Sequence, residues 1–495
     1  MTDDLAKEPL ILHLKGRVTV ADKAHSDYRL LPFSVPPGVS QLSVRYEYTD
    51  AISAAQTEEQ GNVMDIGIFD PRGSERFHGE GFRGWSGSTR AGFSISPVAA
   101  TPGYLPGPIL PGKWEILLGL YRIAPQGCEY HITITLDRKN HEAHEGHAEN
   151  AENLRDFHGS LSSEWSVQPG ERRWYPGDLH MHTEHSDAKG SLADLVAVAR
   201  ARGLEYLAVT EHNTISHIPH LARYSAPDLL LIPGQEITTY YGHANAWGVK
   251  GWQEFRGRSN EDMVRICEAV HAAGGLFSIN HPKQNGPPWE YDGLFAPADC
   301  LEVWQAPWFV GNHQSLALWD RLLREGHRLV AVGGSDRHQP PFTGSLGDRE
   351  VGVPTTWVYA AGLSTQAILA GIRAGRVMVS ADVQGPRLYL EADADSDGLY
   401  EVMMGDKIRA PAGSIVGWRC RVGRAAGHIL RLVSSGAAWT LQVTGDDFTH
   451  TWEEKISRDT YYRAELIIPD EAETELTVLL RSALSNPIYV SVGVL

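Results

Sequence analysis

The chain has 495 residues, 42% of them apolar and 21% charged, the balance of a folded protein too long for a single core. Its formal net charge of −17 opposes non-specific binding to nucleic acid or anionic membranes, so a small-molecule substrate is expected. There is no membrane-length apolar run or secretory pattern after Met1-Thr2-Asp3-Asp4, and the four scattered cysteines form no CxxC pair; a reducing cytoplasm fits these features.

Residues 1–136 read as a β domain. Leu42–Tyr48, Trp114–Leu118 and Tyr130–Leu136 alternate apolar and polar with period two, and Gly and Pro clusters separate them, which predicts a sandwich. Residues 137–173 turn polar and read as a linker. Its His141-Glu142-Ala143-His144-Glu145-Gly146-His147 run lacks HExxH spacing and is read as solvated chain.

From 174 to 380 strands and helices alternate, predicting a parallel α/β architecture, with this many units suggesting a barrel. Ser191 and Asp194 form a capping box, Leu192, Leu195, Val196 and Ala199 the apolar stripe, and Gly203 the stop. The strand Tyr206–Thr210 follows. A helix through Met263, Ile266, Cys267 and Val270 leads past Gly274-Gly275 into the strand Leu276–Ile279. A third unit pairs the helix around Leu316, Trp319, Leu322 and Leu323 with Leu329–Val332. Residues 381–495 return to β structure, with strands expected at Leu388–Leu390, Ile429–Val433 and Leu476–Leu480.

The chemistry concentrates where the central strands end. In Asp178-Leu179-His180-Met181-His182 the two histidines are two apart, so both imidazoles share one face, and Asp187 follows on the next loop. The Tyr206 strand leads to Glu211-His212-Asn213, the Leu229–Ile232 run to Glu236, and His243 comes seven residues later. His281 follows the Leu276 strand, and Asp336-Arg337-His338 the Leu329 strand. Active sites of such folds gather at the carboxyl ends of the strands. Mixed imidazole and carboxylate donors suit Zn²⁺, Mn²⁺ or Fe rather than Ca²⁺.

The runs around His180-Met-His182, Thr-Glu-His212-Asn, Gly-Gln-Glu236-Ile, Gly-His243-Ala-Asn, Asn-His281-Pro and Ser-Asp336-Arg-His338 resemble the PHP (polymerase and histidinol phosphatase) superfamily of metal-dependent phosphoesterases. The likeness spans about Tyr175 to Ser380, and a β domain followed by this region, with the runs Thr210-Glu-His-Asn-Thr214 and Gly242-His-Ala-Asn-Ala-Trp247, resembles the CehA/McbA-like branch, named for carbamate ester hydrolases. It implies a distorted (β/α)7 barrel between N-terminal and C-terminal β-sandwich-like domains, holding two to three divalent ions. One ion would use His180, His182, Glu236 and Asp336; a second the bridging Glu236 with His243 and His281; a third Asp187, His212 and His338. Glu211 departs from the family pattern, which has Asp before this histidine.

Clustered divalent ions lower the pKa of a bridging water, and the resulting metal-bound hydroxide would cleave a phosphomonoester or phosphodiester. Glu236, Asp336 and His338 are the expected catalytic residues. Lys283 and Arg337 are the nearest cations to hold a phosphate, although period two turns Arg337 away from its neighbours. Trp304, with Trp247, Trp289 and Trp308, is expected either to wall a substrate pocket or to pack the barrel, and His185 and His217 are candidate general acids. A carboxyl or carbamate ester hydrolase using the same metals is the alternative, and a metal-stabilised binding module the second. P-loop, nucleophile-elbow, dinucleotide and zinc-finger signatures are absent.

Overall fold

A computed structural model of the protein describes residues 8–54, 60–138, 171–283, 289–292, 295–339, 350–469 and 480–493. The histidine-rich run 141–147 and the run Leu476–Leu479 lie outside them.

The N-terminal strands are β1 (Leu10–Val18), β2 (Tyr28–Val35), β3 (Val39–Tyr48), β4 (Val63–Phe69), β5 (Phe82–Gly87), β6 (Gly92–Ile95), β7 (Gly112–Arg122) and β8 (Cys128–Arg138), with one short helix, α1 (Val20–His25). They form two antiparallel four-stranded sheets, ordered β1-β8-β3-β6 and β2-β7-β4-β5. Alternation decides which face is inward: Ile132, Ile134 and Leu136 of β8 meet Val44, Ile66, Ile116 and Trp114 in one core. β4 is buried along its whole length because its sheet has two covered faces. Met64, Ile66 and Ile68 enter the sandwich core, while Phe69, with Phe82, Trp85 and Leu117, packs against Ile237 and Phe255 of the central region.

The central elements are β9 (Arg173–Asp178), α2 (Leu192–Arg202), β10 (Tyr206–His212), α3 (Ile218–Leu221), β11 (Leu230–Thr239), β12 (Gly242–Trp247), α4 (Asn260–Ala272), β13 (Leu276–Ile279), β14 (Cys300–Gln305), α5 (Asn312–Arg324), β15 (Val330–Gly334), β16 (Thr355–Ala360), α6 (Thr365–Arg373) and β17 (Val377–Ser380). Helix α2 has the expected capping box at Ser191 and Asp194 and stops at Gly203 in the left-handed conformation. The fold is mixed α/β, and strands outnumber helices. The pairing is not wholly parallel. β9, β10 and β11 are parallel, as are β13, β14 and β15, but β12 runs antiparallel to both its neighbours. Only two residues, Tyr240 and Tyr241, separate β11 from β12, and so short a connection permits only a hairpin.

The sheet from β9 to β15 curls until its ends touch. Met181, past β9, bridges Arg337, past β15; Asp336 N donates to His180 O at 2.7 Å and His182 N to Arg337 O at 3.1 Å. Gly334 permits this closeness, since a Cβ there would lie 2.4 Å from His180 Cβ.

The C-terminal strands are β18 (Arg387–Asp393), β19 (Val402–Met403), β20 (Lys407–Ala410), β21 (Ile415–Gly423), β22 (Ile429–Ser434), β23 (Ala438–Gln442), β24 (Asp447–Lys455), β25 (Thr460–Ile467), β26 (Arg481–Ser485) and β27 (Ile488–Val492). One sheet is β19-β18-β21-β24, and the other continues the central sheet through antiparallel pairing of β26 with β17. Leu388, Leu390, Trp418, Leu430 and Leu466 fill the space between them. No helix among the described residues is long and apolar enough to cross a membrane.

Candidate metal centre

The chain segments leaving β9, β13 and β15, together with the end of β10 and with β11 and β12, bring all nine expected ligand positions together. Glu236 is at the centre and fully buried. Its Oε1 lies 3.3 Å from His180 Nε2, 3.3 Å from His243 Nδ1 and 3.4 Å from His281 Nε2. Its Oε2 lies 3.5 Å from His182 Nε2 and 2.7 Å from His212 Nδ1. Asp336 Oδ1 is 3.1 Å from His182 Nε2 and 3.4 Å from His180 Nε2. A further triad faces outward: His212 Nε2 and His338 Nε2 are 3.2 Å apart, and Asp187 Oδ1 lies 3.5 and 3.3 Å from them.

These separations fit ligands around an ion. Two donor atoms each ~2.1 Å from one metal at a tetrahedral angle are about 3.4 Å apart. Most of the distances are long for charge-assisted hydrogen bonds, and His180 Nε2 and His243 Nδ1 are buried with no hydrogen-bond partner among the described residues. Buried polar atoms left this way are costly unless something else satisfies them. The donor set therefore fits divalent transition metals. His281 and Asp336 hold positive φ values of 30° and 48°, backbone strain at two of the converging positions.

The electrostatics favour an ionised Glu236. Burial opposes a charge on Glu236, but His180, His212 and His243 outweigh it and hold its pKa well below the usual range. Burial likewise opposes a proton on His180, yet Glu302, Glu236 and Asp336 raise its pKa well above the ordinary value. His212 is raised to about 9 by Asp187 and Glu236 against burial, whereas His182 is pushed down to about 3 by burial with His212 and His338.

Three supporting residues are not evident from the sequence. Glu302 Oε1 accepts from His180 Nδ1 at 2.9 Å, and its Oε2 accepts from His281 N at 2.9 Å. Asn280 Nδ2 donates to Glu236 Oε1 at 2.9 Å, and Gln305 Nε2 donates to Asp336 Oδ2 at 2.5 Å. The signal for Glu302 is a lone charge inside the apolar run Cys300-Leu301-Glu302-Val303-Trp304. Glu211 faces Thr183 and Ser186, accepting from Thr183 N at 3.0 Å and Ser186 Oγ at 2.5 Å, so it ties down the loop between His182 and Asp187. Burial raises its pKa to about 7.

Two of the expected substrate residues are elsewhere. Arg337 shares the face of Met181, which packs against Leu192 and Leu195, and the carboxylates acting on it are Asp178, Asp194 and Glu350. Trp304 is 2% exposed and meets Trp308 edge-to-face at 4.8 Å within the core, because a bulge between Glu302 and Trp304 breaks the register there. Trp247 is also buried, donating to Leu179 O at 2.9 Å, and Trp289 is partly exposed beside Tyr291. His217 Nε2 lies 3.1 Å from Val209 O, and His185 Nδ1 lies 2.8 Å from Ser216 Oγ. Lys283 is buried against Gln305 and Asn312.

Residues 178–268 match the PHP domain family. Among solved structures, the chain is similar to a two-domain protein from Bacteroides vulgatus containing a predicted PHP-like metal-dependent phosphoesterase, with 17% identity, a TM-score of 0.37, and coverage of 67% of this chain and 100% of that one. It is also similar to a candidate metal-dependent phosphoesterase from Bifidobacterium adolescentis, with 21% identity, a TM-score of 0.27, and coverage of 35% and 91%. An amidohydrolase from Chromobacterium violaceum gives 16% identity, a TM-score of 0.26, and coverage of 33% and 87%. No protein of curated function matches the sequence.

Proposed function

We propose that this protein is a metal-dependent phosphoesterase whose central region is a distorted (β/α)7 barrel carrying two to three Zn, Mn or Fe ions. The observation that carries the reading is the set of 3.3–3.4 Å separations around Glu236 Oε1, with His180 Nε2 and His243 Nδ1 buried and without a hydrogen-bond partner among the described residues. The match of residues 178–268 to the PHP domain supports it. The β domain that precedes this region supports the narrower CehA/McbA-like placement.

His180, His182, Glu236 and Asp336 would hold one ion, Glu236 with His243 and His281 a second, and Asp187, His212 and His338 a third. Bound divalent ions supply a nucleophile near neutral pH and polarise the substrate oxygen. The chain's own residues present the donors. Glu302 accepts the Nδ1 proton of His180, so Nε2, on the side of Glu236, would be the nitrogen left to donate to an ion. Gln305 occupies Asp336 Oδ2, which leaves Oδ1 toward His182. Substrate would enter on the side of Asp187 and His338, whose side chains are 36% and 21% exposed, while those of His180 and Glu236 are sealed.

The test pairs metal analysis with turnover of p-nitrophenyl phosphate, its phosphodiester analogue and an aryl carbamate. Metal-loaded protein is expected to cleave a phosphoester. Fully metallated protein that hydrolyses only the carbamate would overturn the phosphoester reading, and protein that takes up no divalent metal would overturn the metal centre.

A further inference from the structure

Lys283 follows the His281-Pro282 step, where an ammonium could reach a substrate phosphate. The fold uses it differently. Its Nζ donates to Gln305 Oε1 at 2.6 Å and to Asn312 Oδ1 at 3.1 Å, and all three residues are buried. A lysine ammonium carries donors only, so Gln305 must give it the amide oxygen and turn its nitrogen the other way. That nitrogen donates to Asp336 Oδ2, while Asp336 Oδ1 faces His180, His182 and His338. Asn312 locks the arrangement from the start of α5. Its Oδ1 accepts from Gln305 N at 2.9 Å and its Nδ2 donates to Gln305 O at 2.8 Å.

We propose that Lys283 is a positioning residue: through the Gln305 amide it sets which oxygen of Asp336 is presented to the metal centre. The proposal rests on the metal reading given above. Outer partners of metal ligands orient the donor atom, and removing one typically costs ~10–100-fold in metal affinity or activity. A substrate contact would instead be felt in KM for a charged substrate.

Full-length Lys283→Met, Gln305→Leu and the double variant are compared with wild type in Co²⁺ binding, by chelator competition and by the Co²⁺ absorption spectrum. kcat and KM are measured for p-nitrophenyl phosphate and an aryl carbamate. Each single variant is expected to bind Co²⁺ ~10–100-fold more weakly with an altered spectrum, and the double to be no worse than the poorer single. The kcat values fall together for whichever substrates the wild type cleaves, and Lys283→Arg, which keeps a donors-only head group, restores part of the Co²⁺ affinity. Wild-type Co²⁺ binding in Lys283→Met, a KM rise confined to the phosphoester, or additive effects in the double variant would overturn the proposal. Should Lys283→Met fail to fold, Gln305→Glu decides: it keeps a partner for Lys283 but sets a carboxylate against Asp336, so unweakened Co²⁺ binding would overturn the proposal. Wild-type protein that takes up no Co²⁺ removes the metal reading and this one with it, whereas normal wild type with unaffected variants removes this one alone.

Discussion

The acid–histidine cluster at the strand ends and the Arg463–Glu465–Arg481 cluster of the C-terminal sheet are both buried, but their contacts differ. Glu465 Oε1 lies 2.7 Å from Arg463 Nη1 and 3.1 Å from Arg431 Nη1, and its Oε2 lies 2.7 Å from Arg481 Nε. Arg463 also donates from Nε to Asp320 on α5 at 3.0 Å, and its guanidinium lies 5.0 Å from the Trp319 ring. Each carboxylate oxygen of Glu465 therefore has a cationic donor at charge-assisted distance. Around Glu236, by contrast, every imidazole except His212 is held at 3.3–3.5 Å. Burial of charge thus does not distinguish a structural cluster from a binding one. The distinction lies in the spacing: the guanidinium groups close on Glu465 at 2.7–3.1 Å, whereas the imidazoles other than His212 stand off from Glu236 at 3.3–3.5 Å.

The sharpest test replaces the central carboxylate of each cluster. Glu236→Gln is expected to lose bound metal and nearly all activity, and to lose more than Asp187→Asn, because a neutral amide cannot offset repulsion between two cations. Glu465→Gln is expected to keep its metal and its activity per folded molecule. It should instead lose ~3–5 kcal/mol of stability, since it leaves buried guanidinium groups uncompensated. Metal content, kcat/KM and urea midpoints on both proteins check this, and equal metal loss in the two would erase the contrast.

Chelation sharpens the same difference. An ion that binds only the folded state stabilises it by RT ln(1 + [L]/Kd), ~2.7 kcal/mol at a hundredfold excess over Kd. Wild-type protein stripped with EDTA should lose about that much, and Glu236→Gln should show no such loss. Glu465→Gln should respond to EDTA as wild type does.

Acid should act on the two clusters through different groups. His212 has a pKa raised to about 9, so without metal its stabilising charge is fully present below the ordinary histidine value and is lost as pH rises through about 9. Metal needs the neutral imidazole, so its affinity should climb with pH up to about 9 as binding expels the His212 proton. His182, held near 3, should add nothing to that slope at neutral pH. Glu465 is depressed to about 2 by Arg463, Arg481 and Arg431 against burial, so its stabilisation is present above the unfolded carboxylate value and fades only as pH falls toward 2. Calorimetric proton release on Co²⁺ binding, followed from pH 6 to 9, measures the first effect; release that does not change with pH would refute it.

The two clusters were not equally legible in the sequence. His180, His182, His212, Glu236, His281, Asp336 and His338 stand out because each closes or follows an apolar run, and period two places His180 and His182 on one face. Glu302 and Gln305 were hidden, since the groups they hold are far away in sequence: His180 is 122 positions from Glu302 and Asp336 31 positions from Gln305. The same holds for Arg463 and Glu465, whose meaning depends on Asp320 and on the β17–β26 pairing that joins two regions read as separate. Helix α2 was legible to its cap because a capping box is a local device. The reversal of β12 was not, because a strand's direction depends on its partner rather than on its own residues.

The smallest effect is expected at Arg337, which lies between two residues of the centre and yet belongs to neither cluster. Its guanidinium lies on the Met181 face, and burial lowers its pKa against the pull of Asp178, Asp194 and Glu350. Asp178 does not depend on it, since its carboxylate accepts from Ser335 N at 3.0 Å and Gly352 N at 2.7 Å. Arg337→Met should therefore cost no more than ~0.5–3 kcal/mol of stability, the range of most single substitutions, since Arg337 Nη2 is buried without a hydrogen-bond partner among the described residues. Metal content and phosphoester kcat/KM should stay within about threefold of wild type, because no substrate contact is removed. A tenfold rise in KM for p-nitrophenyl phosphate, with KM for the aryl carbamate unchanged, would mean that the side chain reaches the substrate after all.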